Sequence, residues 1–165
     1  ELFKHQWAQN MSLDQGHDYW SSKIGESVIG EWHEITQDRI DKFAEATGDH
    51  QWIHVDPERS AIESPYGGTI AHGFLTLSLI PLLIDDMSPD QIPVEGIKQF
   101  VNYGSNSVRF MSPIRPGNLV RSNYHIIRIE KMRRTALRVL KKVTIEIKGA
   151  QKPACVAETV TLVFF

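Results

Sequence analysis

Three of the seven histidines, His50, His54 and His72, fall within twenty-three residues, and Asp49 stands beside the first of them. A carboxylate and an imidazole sharing one water supply a general base and a general acid, and histidine changes charge near neutral pH. Asp49 and His54 lie just beyond Gly48, a residue suited to end a helix, so the loop they occupy can turn both side chains toward one point. The run Ile70-Ala71-His72-Gly73 adds a second element. If an apolar helix starts near His72, the Gly73 amide is one of its unpaired first-turn donors, backed by the positive end of the helix dipole. Such a donor suits an oxygen that becomes negative, as when a thioester or other carbonyl forms an enolate, and glycine lets a substrate approach the backbone.

The same residues could serve structure alone: Asp49 as the cap of a turn, His54 as a hydrogen-bonded core residue, Gly73 as a packing residue. Other chemistries fit less well. A zinc pair at His50 and His54 would need a helix, for which the stretch between Gly48 and Pro57 offers little room, so no metal is expected. Ser60, Ser64 and Ser78 lack a G-x-S-x-G elbow, and the chain holds no phosphate loop, dinucleotide fingerprint or internal repeat.

Around these residues the chain divides into recognisable elements. Residues 1–22 read as an arm or short helix whose Trp7 and Trp20 dock onto the body. Ser27–Ile35 is strand-like, and Thr36 caps a helix with Ile40, Phe43, Ala44 and Thr47 on its apolar face, which Gly48 ends. Most of the stretch from Asp49 to Gly68 is expected to be irregular. Ile70–Ile84 carries no formally charged side chain over fifteen residues, too short for a membrane span of about 20 residues and best read as a buried helix that Pro81 kinks or divides. Four strand patterns follow, at Gln99–Phe110, Leu119–Glu130, Thr135–Ile147 and Ala154–Phe165, joined by short breaks that suit antiparallel neighbours. A sheet must bury one face and this helix all of them, so the sheet is expected to wrap the helix, with a second subunit covering the remainder. The domain expected on this basis is an α+β fold over 24–165, after an arm over 1–23.

Composition sets limits. A chain of 165 residues with 41% hydrophobic and 23% charged residues suits one soluble domain. One cysteine, Cys155, rules out a disulfide framework or a Cys-rich metal site. With no charged-then-apolar segment at the start, the cytoplasm is the expected compartment. The net charge of −2 hides a balance of −12 over 1–97 and +10 over 98–165. The basic stretch Arg128–Arg138 alternates as a hairpin would, and no nucleic-acid partner is expected.

Two segments resemble a known family. Phe43–Ile80, reading FAEATGDHQWIHVDPERSAIESPYGGTIAHGFLTLSLI, is similar to the signature of MaoC-like dehydratases, the (R)-specific enoyl-CoA hydratase group. Asn102–Arg121, reading NYGSNSVRFMSPIRPGNLVR, resembles the matching strand and turn, most closely in the nodulation-protein-N-like branch. The resemblance covers about residues 24–165. It implies a hotdog fold, a long curved antiparallel sheet around a central helix, paired as a homodimer with the substrate tunnel near the interface. It also implies reversible addition of water to a trans-2-enoyl thioester, giving a (3R)-3-hydroxyacyl thioester carried by coenzyme A or an acyl carrier protein, with no other cofactor. Asp49 and His54 would hold and activate the water, and the Gly73 N–H would hold the thioester oxygen. The sequence departs from the family's pattern at Gln51, where an asparagine is common, at Trp52, often a proline, and at Pro81, where characterised hydratases place a serine that Ser78 does not align with. The basic block suggests that some of Lys98, Arg109, Arg115 and Arg121 line the tunnel mouth and attract thioester phosphates or an acidic carrier. A hotdog thioesterase and a non-catalytic acyl-binding protein are the alternatives.

Overall fold

The computed structural model describes residues 2–84, 92–132 and 135–165, with side chains from Ser12 onward. The long strands are β3 (Gln99–Phe110), β4 (Leu119–Met132), β5 (Ala136–Ile147) and β6 (Cys155–Phe164), and two short ones, β1 (Val28–Ile29) and β2 (His33–Glu34), pair with β4. Their order is β1-β4-β5-β6-β3, antiparallel throughout, which leaves β3 at an edge. The expected first strand is therefore two fragments, separated where Trp32 lies beneath the guanidinium of Arg121 at 4.4 Å.

Helix α2 (Gln37–Thr47) follows its local chemistry. Thr36 takes the N-cap position, its hydroxyl accepting from the Arg39 N–H at 3.2 Å, and Gly48 ends the helix at φ 77°. Ile40 and Ala44 are fully buried. The stretch expected to be irregular contains two short helices, α3 (Trp52–Val55) and α4 (Pro57–Glu63). Four and seven residues hold no readable period, although Asp56, whose carboxylate accepts from the Arg59 N–H at 2.9 Å, and Pro57 form an ordinary helix start.

The apolar segment forms α5 (Gly73–Ser78) and α6 (Ile80–Ile84), divided near Pro81, which has no N–H to continue the ladder. Leu75, Leu83 and Ile84 are buried against Val120, Tyr124, Val143, Ile145 and Ala157 of the sheet. Beyond the end of α6, helix α1 (Leu2–Ser21) takes over. Its Leu13 and Trp20 join Ile126, Leu137, Val139 and Val163 in a second core. The expected docking of Trp20 is observed, and that of Trp7 lies outside the described side chains. Two helical covers thus divide one concave face. No described helix is long and apolar enough to cross a membrane.

Candidate active site

The loop between α2 and α5 gathers the reactive groups. The left-handed turn at Gly48 sends Asp49 away from α2, and its carboxylate accepts from the Gln51 N–H at 3.4 Å. α3 carries His54 back beneath it, buried to 7% exposure. The His54 Nδ1–H donates to the Ile70 carbonyl at 2.7 Å, leaving Nε2 as the lone-pair nitrogen. His72, 2% exposed, uses Nε2–H to donate to the Asp49 carbonyl at 2.9 Å. The two imidazoles stack with centroids 3.8 Å apart, and the Phe43 ring lies 5.0 Å from that of His72. Asp49, His54 and His72 each offer a ligand-type atom, all within 4.8 Å of one another.

Burial pushes the pKa of His54 below its ordinary 6.5. The hydrogen bond to Ile70 and the nearby Asp49 charge oppose that, while His72 adds to it. His54 is thus neutral at neutral pH, with an acceptor nitrogen beside a carboxylate. These three groups could hold a cation, but stacked rings direct their in-plane lone pairs side by side, a poor arrangement for converging on one ion.

Gly73 opens α5 directly after His72, so its N–H stands at the start of the helix before any intrahelical partner. A Cβ at this position would stand 2.7 Å from the Phe110 ring, so glycine also meets a packing need here. Phe110 in turn meets Phe74 edge-on at 5.8 Å.

The structure separates other expected site residues from this group. His50 is exposed and faces Glu45 at 3.8 Å. Arg115, in the β3–β4 turn, approaches Gly67, and Arg109 lies beside Phe110, so both belong to this end of the sheet. Lys98 precedes the opposite end of β3, roughly 36 Å away at strand rise, and cannot share a mouth with Arg109. Arg121 alternates onto the outer face of β4, paired with Glu146 at 2.8 Å. The Ser78 hydroxyl donates to the Leu75 carbonyl at 2.8 Å, so it turns back onto its own helix. Cys155 is fully buried, and burial raises its thiol pKa to about 11, which removes it as a nucleophile at neutral pH.

Gln37 was not foreseen. Its amide donates to the His54 carbonyl and to the Asp41 carboxylate, both at 2.7 Å, and accepts from the Thr69 hydroxyl at 2.5 Å. This one residue ties the start of α2 to α3 and to the segment that leads to His72. A glutamine in a helix's first turn gives no sequence signal of such a role.

A curved antiparallel sheet closed over a divided helix, with a carboxylate and two imidazoles gathered at the helix start, defines a hotdog fold of the hydratase type. The chain belongs to the MaoC-like domain family, whose model matches residues 20–147. It is 46% identical over 138 residues to 3-hydroxyacyl-thioester dehydratase Z of Mycobacterium tuberculosis, covering 84% of this chain and 86% of that one. It is 42% identical over 145 residues to nodulation protein N of Rhizobium leguminosarum bv. viciae, covering 87% and 88%. Among solved structures, it is similar in fold to a monoamine oxidase regulatory protein from Archaeoglobus, with a TM-score of 0.74 at 23% identity over 88% of this chain and 94% of that one. The (R)-hydratase from A. caviae is similar with a TM-score of 0.66 at 21% identity, over 84% and 95%.

Proposed function

We propose that this protein adds water reversibly to trans-2-enoyl thioesters, giving (3R)-3-hydroxyacyl thioesters, and catalyses the dehydration in reverse. The observation that carries the reading is the Asp49–His54 pair beside the Gly73 helix start, in a chain 46% identical to a protein named as a 3-hydroxyacyl-thioester dehydratase. The Asp49 carboxylate and the neutral His54 Nε2 both accept from one water. The pair takes a proton from that water as its oxygen attacks C3, and returns a proton to C2, so it ends as it began. The Gly73 N–H receives the thioester oxygen while negative charge collects there. His72 holds the Asp49 backbone and Gln37 the His54 backbone, which fixes the pair before substrate arrives. No cofactor enters these steps. The thioester carrier is coenzyme A or an acyl carrier protein, whose phosphates Arg109 and Arg115, at the same end of the sheet, would attract.

The working form on this reading is a homodimer in the cytoplasm. β3 is a twelve-residue edge strand, and Tyr103, Phe110 and Met111 on or beside it are 64%, 46% and 54% exposed, next to Phe74 at 70%. A second copy pairing along β3 would satisfy that edge and cover this apolar surface.

Supplying crotonyl-CoA and following loss of the conjugated thioester together with thiol release tests the reaction. Hydration without thiol release, abolished in Asp49→Asn and His54→Ala with native circular dichroism, supports the assignment. Release of free thiol would point to a thioesterase, and activity persisting in both variants would remove the pair from the site.

A further inference from the structure

The concave face of the sheet is interrupted by a polar row that the proposed reaction does not use. Along β5 the inward positions read Leu137, Val139, Lys141, Val143 and Ile145, so a lysine stands where the alternation calls for an apolar residue. Lys141 is only 2% exposed, and its ammonium lies 5.0 Å from the centre of the Tyr124 ring. Register places Thr159 directly opposite it on β6, and Ser105 opposite Thr159 on β3. One step along, Val139 faces Thr161, which faces Asn102. Residues directly opposite in antiparallel strands share a face. Lys141, Thr159, Ser105, Thr161 and Asn102 therefore form a hydrophilic band across three strands. Below it lies the apolar core under α5 and α6, and above it the one under α1.

This band lines a cavity of about 540 Å³, whose opposite wall is Leu77 of α5, the helix that begins at Gly73, and Ile80, Pro81 and Ile84 of α6. At helical rise, Leu77 stands about 6 Å and Ile84 roughly 16 Å beyond Gly73. β3 is bulged between Asn102 and Gly104 and again between Ser105 and Ser107, opening the edge strand where it borders the cavity. A chain whose thioester oxygen sits on the Gly73 N–H and whose tail follows the helices thus meets apolar groups on the helix side and polar groups on the sheet side. Lys141 and Thr161 are buried, Thr159 is half-buried, and Asn102 and Ser105 lie exposed on the edge strand; burying the first two beside a space is costly unless polar atoms reach them. An ammonium carries three N–H donors and can share them between the contacts Lys141 already makes and a guest oxygen.

We infer that this cavity selects acyl chains bearing an oxygen function, a hydroxyl or a carboxylate, toward the tail, with Lys141 and Thr159 reading it. The inference rests on the hydratase reading for the direction of the chain, but its test does not need turnover. Binding of octanoyl-CoA and its omega-hydroxy and omega-carboxy analogues to the full protein is measured by calorimetry. The expected result is that at least one oxygenated tail binds about tenfold or more tightly than the plain one, and that Lys141→Met brings the ratio close to one. A preference for the carboxylate alone would show that charge is read, and a preference for the hydroxyl as well that hydrogen bonding suffices. Thr159→Val, which leaves the lysine in place, should reduce the ratio severalfold and stands in if Lys141→Met fails to fold. Equal or weaker binding of both oxygenated tails would overturn the inference, as would a preference that persists in the folded variants. Failure of crotonyl-CoA to hydrate would sink the catalytic reading and leave this ratio to be judged by itself.

Discussion

Two regions of the concave face treat buried polar groups differently. Near α5, His54 and His72 are each committed to a backbone carbonyl, so both tautomers are set by the fold and the remaining nitrogens have fixed directions. In the middle of the sheet, Lys141, Thr159 and Thr161 face a cavity. On the proposed reaction, the contrast teaches that rigidity is concentrated where a proton would move and that space is left where a chain would be received. On that reading the first arrangement would lower the cost of reaching a transition state, and the second would set what can enter.

Breaking the rigid end should have the largest effect. Asp49→Asn or His54→Ala should each lower kcat/KM for a short enoyl thioester by about 10²–10⁴-fold, read in a steady-state assay, with little change in melting temperature for the partly exposed Asp49. Gly73→Ala should come next, because its Cβ would stand 2.7 Å from the Phe110 ring. The expected cost is about 1–3 kcal/mol in urea unfolding, with a loss of activity from the displaced helix start, and Phe110→Leu in the same chain should recover part of the stability. Thr36→Ala removes the cap of α2 far from the cavity and should cost about 1 kcal/mol with activity preserved.

The smallest effect is one of pH. His54 has a folded pKa below its ordinary 6.5, so the unfolded chain binds a proton that the folded chain refuses. Its contribution to stability is therefore complete above pH 6.5 and is lost as the pH falls through the lowered folded value. Urea midpoints measured across that window should decline toward acid in the wild type, and His54→Gln should flatten the slope.

Some of this was readable from residue types alone. The caps of α2 were legible because Thr36 and Gly48 act through their own turns. That Asp49 and His54 could turn toward one point was readable from a loop that follows a helix end, and their ligand-type atoms do lie within 4.8 Å, but it was the resemblance and not the spacing that singled out the pair for chemistry. His50 shows where such reasoning stops: it belongs to the same histidine cluster, yet it points to Glu45 because the direction of a loop side chain is decided by what packs behind it. His72 was visible as a histidine but not as the donor to the Asp49 carbonyl, a contact between residues twenty-three positions apart. Likewise, Lys98 and Arg121 carry the expected charge, but strand length and strand alternation place them away from the site. Lys141 could have been noticed as the break in an otherwise apolar alternation, though only register shows that Thr159 and Ser105 continue it.

The most direct test of the central claim is the stereochemistry of hydration in deuterated water, with trans-2-enoyl-CoA as substrate and the product analysed by NMR. If Asp49 and His54 work on one face of the double bond, the product is the (3R)-3-hydroxyacyl thioester with deuterium at C2 on the same face as the new hydroxyl, and Asp49→Asn yields none above background. A (3S) product, deuterium on the opposite face, or unchanged turnover in folded Asp49→Asn would contradict it.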